Sequence, residues 1–300
     1  MEIDFDRSAH LGGGGYGQVY KGKYKRRAVA VKRVQLAKWN KGEEEIMLKL
    51  KHRNIVKLFH CESDEDFRNF ALELCDASLG QLFLNPNHAQ KYNGPMPRRI
   101  EVFLQLATGL KYIHLEKFAH RDIKPQNILI LAGQDNSDVI IKWADFGLTK
   151  TVSERGTYTE SKITGTETWL APEIIRRWMK DEDCRGDVKS DVFALALVFG
   201  WLLLQGTHLY GSGQYEIDNN ILAKNPINMT KIDSKLRDRY EYDLLKKMLE
   251  DNPGNRISSA DIVKQLKIIK KELTGDEDEL VQQCSGGDRK RRRLDHTEEI

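Results

Sequence analysis

Apolar and polar positions alternate along Ala28 to Val34, so Ala30 and Lys32 share one face of a strand while Val29 and Val31 share the other. Ile55 to Phe59 and Phe70 to Leu74 are short apolar runs that read as two more strands, completing a small sheet of about five. Ile128 to Leu131 and Val139 to Trp143 are strand-like in the same way. A different period governs Ile100, Phe103, Leu104, Ala107, Leu110 and His114, which predict one long helix with His114 as a surface or packing residue. Glu43 to Lys51 predicts another helix. Met47 and Leu50 lie four and seven residues from Glu43, so Glu43 turns inward with them, whereas Glu44 and Glu45 fit the solvent side, Glu45 meeting Lys49 one turn on. Val192 to Leu204 is apolar all round, as in a helix at the centre of a lobe, with Asp191 at its start where the helix dipole favours a carboxylate. Ser258-x-x-Asp261 ahead of Ile262, Val263, Leu266 and Ile269 predicts a capped last helix.

Three hundred residues, 40% of them hydrophobic, suffice for one large core or two smaller ones. No stretch approaches the roughly 20 apolar residues of a membrane span, and the first residues lack an apolar leader, so no membrane partner is expected. Cys61, Cys75, Cys184 and Cys284 are scattered without a C-x-x-C, which favours reduced thiols in a cytoplasmic or nuclear protein over a metal or disulfide framework. A net charge of +3 does not argue for nucleic acid across the whole surface. After Leu273 the composition turns acidic at Asp276 to Glu279, loose at Ser285-Gly286-Gly287 and basic at Arg289 to Arg293, and residues 273–300 are predicted to be a disordered charged tail. Its basic cluster is either a solvated charge run, a nuclear localisation signal or an RNA-contacting patch, the only place where nucleic acid enters the picture.

The residues that suggest chemistry lie between these elements. Leu11 to Gly17 holds five glycines, with Gly12, Gly14 and Gly17 in a G-x-G-x-x-G spacing. A strand and turn follow, not the helix that a dinucleotide-binding fold would open, and Gln18 after Gly17 excludes a P-loop. A flexible turn is the plain alternative. An inward Glu43 needs a cation, for which Lys32 is the candidate. His120-Arg121-Asp122-Ile123-Lys124-Pro125-Gln126-Asn127 gathers a carboxylate, an ammonium and a carboxamide in eight residues, stiffened by Pro125. Asp145-Phe146-Gly147 and Ala171-Pro172-Glu173 bracket a segment rich in hydroxyls: Thr149, Thr151, Ser153, Thr157, Tyr158, Thr159, Ser161, Thr164, Thr166 and Thr168.

In this order and spacing the motifs resemble those of the eukaryotic protein kinase superfamily over about residues 8 to 272. Leu72 to Leu79, Gly165 to Glu173 and the long insert between Asn127 and Asp145 are more narrowly similar to the inositol-requiring-enzyme family of unfolded-protein sensors and the related 2-5A-dependent ribonuclease. About thirty residues follow the last predicted helix, too few for the nuclease of those sensors, so the chain is expected to lack their nuclease, luminal and membrane parts.

The resemblance implies an α+β, two-lobed kinase fold. Residues 1–7 would be an extension, about 8–74 a small, mainly antiparallel β lobe with one key helix, and about 77–272 a larger helical lobe. It also implies a serine/threonine protein kinase using ATP and Mg2+ on protein substrates, its own activation loop included. Leu11, Gly12, Gly14, Gly17, Val19, Ala30, Lys32, Glu73, Cys75 and Leu129 would line the nucleotide site, with Glu73 and Cys75 offering backbone groups to adenine. Lys32, fixed by Glu43, would hold the α- and β-phosphates, and Asn127 and Asp145 the metal. Asp122 would accept the proton of the attacking hydroxyl, Lys124 would neutralise the γ-phosphate, and Thr166 would touch both. Arg121 would pair with a phosphorylated loop, and Glu173 with Arg256. The alternative is a nucleotide-binding scaffold that signals as a homodimer with little transfer. A homodimer is implied by the resemblance alone.

Overall fold

The computed structural model describes residues 2–14, 17–39, 41–133, 138–160, 165–180, 182, 184–232 and 240–286. Its first third is a five-stranded antiparallel sheet of β1 (Ile3–Gly14), β2 (Gly17–Tyr24), β3 (Arg27–Gln35), β4 (Leu58–Ser63) and β5 (Phe67–Glu73), ordered β1-β2-β3-β5-β4. Alternation along β3 works as the sequence predicts. Val29 and Val31 pack with Ile3 and Ala71 on one face, while Val34 and Phe70 join the main core on the other. Helix α1 (Lys41–Lys49) covers that second face through Glu43, Ile46 and Met47, all buried.

β6 (Ala77–Ser78) leads to α2 (Arg99–Leu115), whose apolar face, including Phe103, Leu106 and Leu110, is fully buried. β7 (Phe118–Ala119) precedes His120 to Asn127, and β8 (Ile128–Ala132) and β9 (Val139–Trp143) follow them in a three-stranded sheet ordered β6-β8-β9. β10 (Lys150–Thr151) pairs with β7, and β11 (Thr157–Glu160) pairs with β12 (Cys184–Asp187) on either side of α3 (Pro172–Met179). Helix α4 (Val188–Leu203) is buried along most of its length, as an all-round apolar pattern requires. α5 (Gln214–Leu222), α6 (Tyr240–Met248) and α7 (Ser259–Gly286) complete the helical part. The amide of Asp261 donates to Ser258 Oγ at 3.1 Å, so the predicted cap forms. The result is an α+β fold with an antiparallel small lobe and a helical large lobe. Among the described residues no helix is long and apolar enough to cross a membrane.

Four expectations need correction. β4 starts at Leu58, not Ile55, because Ile55 makes a parallel bridge to Trp143 and the Val56 amide donates to the Trp143 carbonyl at 2.9 Å. The start of the apolar run thus joins the two lobes. Gly109 of α2 permits this junction, since a Cβ there would lie 2.5 Å from the Trp143 ring. Residues 1–7 are not a separate extension: Ile3 to Phe5 pair with Tyr24 to Gly22, and the Glu62 carboxylate accepts from the amides of Glu2 and Ile3. Glu44 is not solvated but accepts from Arg68 at 2.6 and 2.9 Å. The last helix continues past Leu273 to Gly286, since adding residues to a nucleated helix costs little and Glu, Leu and Gln favour it. Arg289 to Arg293 lie outside the described residues.

Candidate active site

The site is built around a strained loop between β7 and β8. Arg121 within it has φ +71°, a left-handed value that non-glycine residues rarely adopt, and Asp145, just after β9, shares it at φ +60°. Asp191 of α4 holds this conformation, its carboxylate accepting from the His120 amide at 2.7 Å and the Arg121 amide at 2.9 Å. The carboxylate is fully buried, which opposes its charge, yet His114 and His120 beside it keep its pKa below the ordinary value. His114 is therefore no bystander. One ring nitrogen is 3.1 Å from Asp191 and the other 2.9 Å from the Ser259 hydroxyl. Seventy residues separate Asp191 from the loop, so helix-dipole reasoning could place it on α4 but not beneath the loop.

Within the loop the polar groups converge. Asp122 Oδ2 accepts from Lys124 Nζ at 2.8 Å and Asn127 Nδ2 at 2.7 Å, and Asp122 Oδ1 accepts from the Thr166 hydroxyl at 2.7 Å. Lys124 Nζ donates to Thr166 Oγ1 as well, at 2.6 Å. Asp122 is 3% exposed, and these side chains from two segments fix its orientation.

A second cluster joins β3 and α1 of the small lobe to Asp145, just after β9. Lys32 Nζ lies 2.6 Å from Glu43 and 2.9 Å from Asp145. Burial alone would lower the Lys32 pKa, but Asp145 and Glu43 together outweigh it and raise the value. Burial works against the charge on Asp145 too, and Lys32 more than compensates, holding its pKa down. The Asp145 side chain is 31% exposed against 9% and 6% for Lys32 and Glu43, so Asp145 is the member that meets solvent. Among the predicted ligands, the Asp145 carboxylate and Asn127 carboxamide oxygen are hard donors, and the Ala144 amide next to Asp145 donates to the Asn127 carbonyl at 3.0 Å. That donor chemistry fits a small divalent cation.

The glycine run forms the β1–β2 hairpin, with Gly12 opposite Val19 and Gly14 opposite Gly17. Val19 in turn pairs with Lys32. Gly17 has φ +128°, and a Cβ there would meet the Arg33 carbonyl at 2.4 Å, so glycine is required. A Cβ on Gly12 or Gly14 would meet nothing within 4 Å, leaving open space where a phosphate chain could lie. The hairpin tip, Gly15 and Tyr16, lies outside the described residues. Leu11 is exposed, and Ala30 and Leu129 are half-buried. Glu73 closes β5, and the half-buried Cys75 thiol is pushed up to about 12 by burial and the Glu73 charge.

The sequence reading missed Lys142. It sits 2% exposed on β9, 3.0 Å from Glu73 and donating to the Arg53 carbonyl at 2.8 Å. A lysine in an apolar strand is the signal that could have found it. Of the hydroxyl residues between Asp145 and Glu173, Thr149 and Tyr158 are buried, and Ser161 and Thr164 lie outside the described residues. Glu173 and Arg256 do pair, through two contacts of 2.9 Å.

A glycine hairpin over a lysine held by two carboxylates, facing an orientated aspartate in a strained loop, is the arrangement of a protein kinase. The protein kinase domain family matches residues 5–267, and the chain belongs to it. By that membership it is a kinase that uses ATP, a divalent metal ion and protein substrates. Its more particular similarity is to the serine/threonine-protein kinase/endoribonuclease ire-1 of Caenorhabditis elegans, 32% identical over 80% of this chain and 24% of that protein. The serine/threonine-protein kinase/endoribonuclease IRE2 of Homo sapiens is also 32% identical, over 87% of this chain and 28% of its own length. The interferon-induced, double-stranded RNA-activated protein kinase of Rattus norvegicus is 28% identical over 88% and 52%. The chain thus spans between about a quarter and a half of these relatives.

Proposed function

We propose that this kinase phosphorylates serine and threonine hydroxyls of proteins, and that each clustered side chain has one task in that transfer. The observation that carries the reading is the Asp122 carboxylate, held by Lys124, Asn127 and Thr166, together with the Lys32–Glu43–Asp145 cluster. The substrate hydroxyl oxygen bonds to the γ-phosphorus of ATP. The bond from that phosphorus to the β,γ-bridging oxygen breaks, ADP leaves with the electron pair, and the proton passes to Asp122. Lys32, steadied by Glu43, positions the α- and β-phosphates beneath Gly12, Gly14 and Gly17. Lys124 balances charge on the transferring group. Adenine lies between Ala30, Val19, Leu11 and Leu129 and meets the backbone of Glu73 and Cys75. Asp145 and Asn127 would hold Mg2+, which would supply charge neutralisation on the phosphates. Because the transition state is loose, positioning and electrostatics carry most of the rate.

The lysine at position 124 and its contact with Thr166 support serine/threonine over tyrosine specificity. Thr157 and Thr159 are exposed on the activation segment and are candidate sites of self-phosphorylation, which the similarity to the kinase/endoribonucleases extends to a homodimer. The free thiols of Cys61 and Cys75 fit a reducing compartment, the cytoplasm or nucleus.

The test is radiolabel transfer from ATP with magnesium, followed by phosphoamino-acid mapping. Asp122→Asn is expected to lower transfer by about 100-fold or more, the usual worth of a positioned general base. Label on serine or threonine that disappears in the variant supports the reading. Bound nucleotide without label in the wild type would instead favour a scaffold.

A further inference from the structure

Tyr158 lies in a segment of hydroxyl residues that looks built for modification, yet it is 9% exposed while Thr157 and Thr159 beside it are exposed. Its ring centre is 4.8 Å from the guanidinium carbon of Arg121. Arg121 immediately precedes Asp122, is itself 9% exposed, and donates from Nη1 to the Leu148 carbonyl at 3.1 Å, just beyond Asp145-Phe146-Gly147. One side chain thus touches the segment that follows the metal-binding motif and the strand β11.

The neighbouring strand leaves room for the ring. β11 pairs with β12 so that Tyr158 faces Gly186, and a Cβ on Gly186 would lie 2.3 Å from the Tyr158 hydroxyl. Only glycine leaves room for the ring. Further along, Gly165 has φ +124° and a Cβ there would meet the Arg121 carbonyl at 3.0 Å, so the segment returns to the loop just before Thr166 reaches Asp122.

We infer that Tyr158 is a positioning residue for phosphoryl transfer, its ring seated on Arg121 and fitted over Gly186 so as to hold the activation segment against the catalytic loop without a phosphate group. This rests on the kinase function proposed above. A guanidinium at a desolvated site is attracted to the face of the ring, and the attraction needs the aromatic face and not the hydroxyl. Dimensions alone would also be met by an aliphatic side chain, which lacks that face. Ordering of the segment then places Thr166, and with it Asp122 and Lys124.

The experiment uses the full chain after phosphatase treatment, as wild type, Tyr158→Phe, Tyr158→Leu and Gly186→Ala. It measures kcat on a peptide substrate, nucleotide affinity by titration, and amide hydrogen exchange over residues 150–160. Tyr158→Leu is expected to lower kcat by about tenfold, with Tyr158→Phe within about twofold of wild type, the scale of a buried cation–ring contact acting on an ordering equilibrium. Gly186→Ala should behave as the leucine variant. Exchange over 150–160 should quicken in both, with nucleotide affinity unchanged. The inference is overturned if the leucine variant keeps its kcat, if phenylalanine is as damaging as leucine, or if nucleotide affinity falls alongside kcat, which marks a general loss of fold. Should the wild type show no transfer at all, the proposed function fails, and the exchange data alone decide whether Tyr158 orders the segment.

Discussion

Two buried lysines stand on two strands of this protein, and the same residue type does different work in each. Lys32 on β3 meets two carboxylates, Glu43 and Asp145, one of which is open to the cleft. Lys142 on β9 meets one carboxylate, Glu73, and one backbone carbonyl, that of Arg53, and is 2% exposed. Two anions around Lys32 leave the cluster with net negative charge, which suits a cation and the phosphates it carries. Lys142 and Glu73 neutralise each other and leave no surplus charge. Burial of a charge is thus no mark of function by itself; surplus charge on an accessible side is the better sign.

The largest effect that could break this comparison comes from Lys32→Met. Loss of phosphate positioning should reduce transfer by roughly 100-fold or more, checked by steady-state rates beside a thermal melt. If the variant unfolds instead, Lys32 is a structural residue of the same kind as Lys142. Lys142→Met should do the opposite. Removing one member of a buried pair costs about 3–5 kcal/mol, a fall in Tm of roughly 10 °C for a domain of this size, while nucleotide affinity below the melt stays close to wild type. An intact Tm with abolished transfer would reverse the assignment.

The smallest effect is a pH dependence. The Asp145 pKa is depressed in the folded state, so its pairing with Lys32 stabilises the protein above the ordinary carboxylate value and loses that contribution as pH falls through the lower folded value. Lys32 is shifted upward, so its own contribution is complete below about pH 10.4, where a free lysine titrates, and is lost only above that. The Tm difference between wild type and Asp145→Asn should therefore be flat from pH 9 down to about 5 and shrink below about 4. A difference that changes across neutral pH would mean another group titrates in the pair.

Much of this site is legible in the order of residues alone. Asp122, Lys124 and Asn127 fall within one turn stiffened by Pro125, so their spacing brings them together. Helical periodicity turns Glu43 inward, and it is 5% exposed. The strands and helices follow from periods of two and 3.6, with errors where an apolar run serves a neighbour instead of its own strand. Ile55, bridged to Trp143, is the clearest case. The helix beyond Leu273 reads as tail because the composition turns acidic at Asp276 to Glu279 and loose at Ser285-Gly286-Gly287, whereas an existing helix propagates through the acidic stretch to Gly286.

Amino-acid type and local spacing were enough to establish the family and the order of the motifs and to single out candidates for phosphate and metal binding, because those depend on chemistry carried within short stretches of chain. It took the folded chain to show that Asp191 of α4 grips the catalytic loop through two backbone amides, that His114 braces Asp191, that Lys142 answers Glu73, and that the ring of Tyr158 lies on Arg121. Each of those contacts joins residues at least 37 positions apart. Linear spacing carries no information at that range, where the packing of β strands on helices sets which polar groups meet.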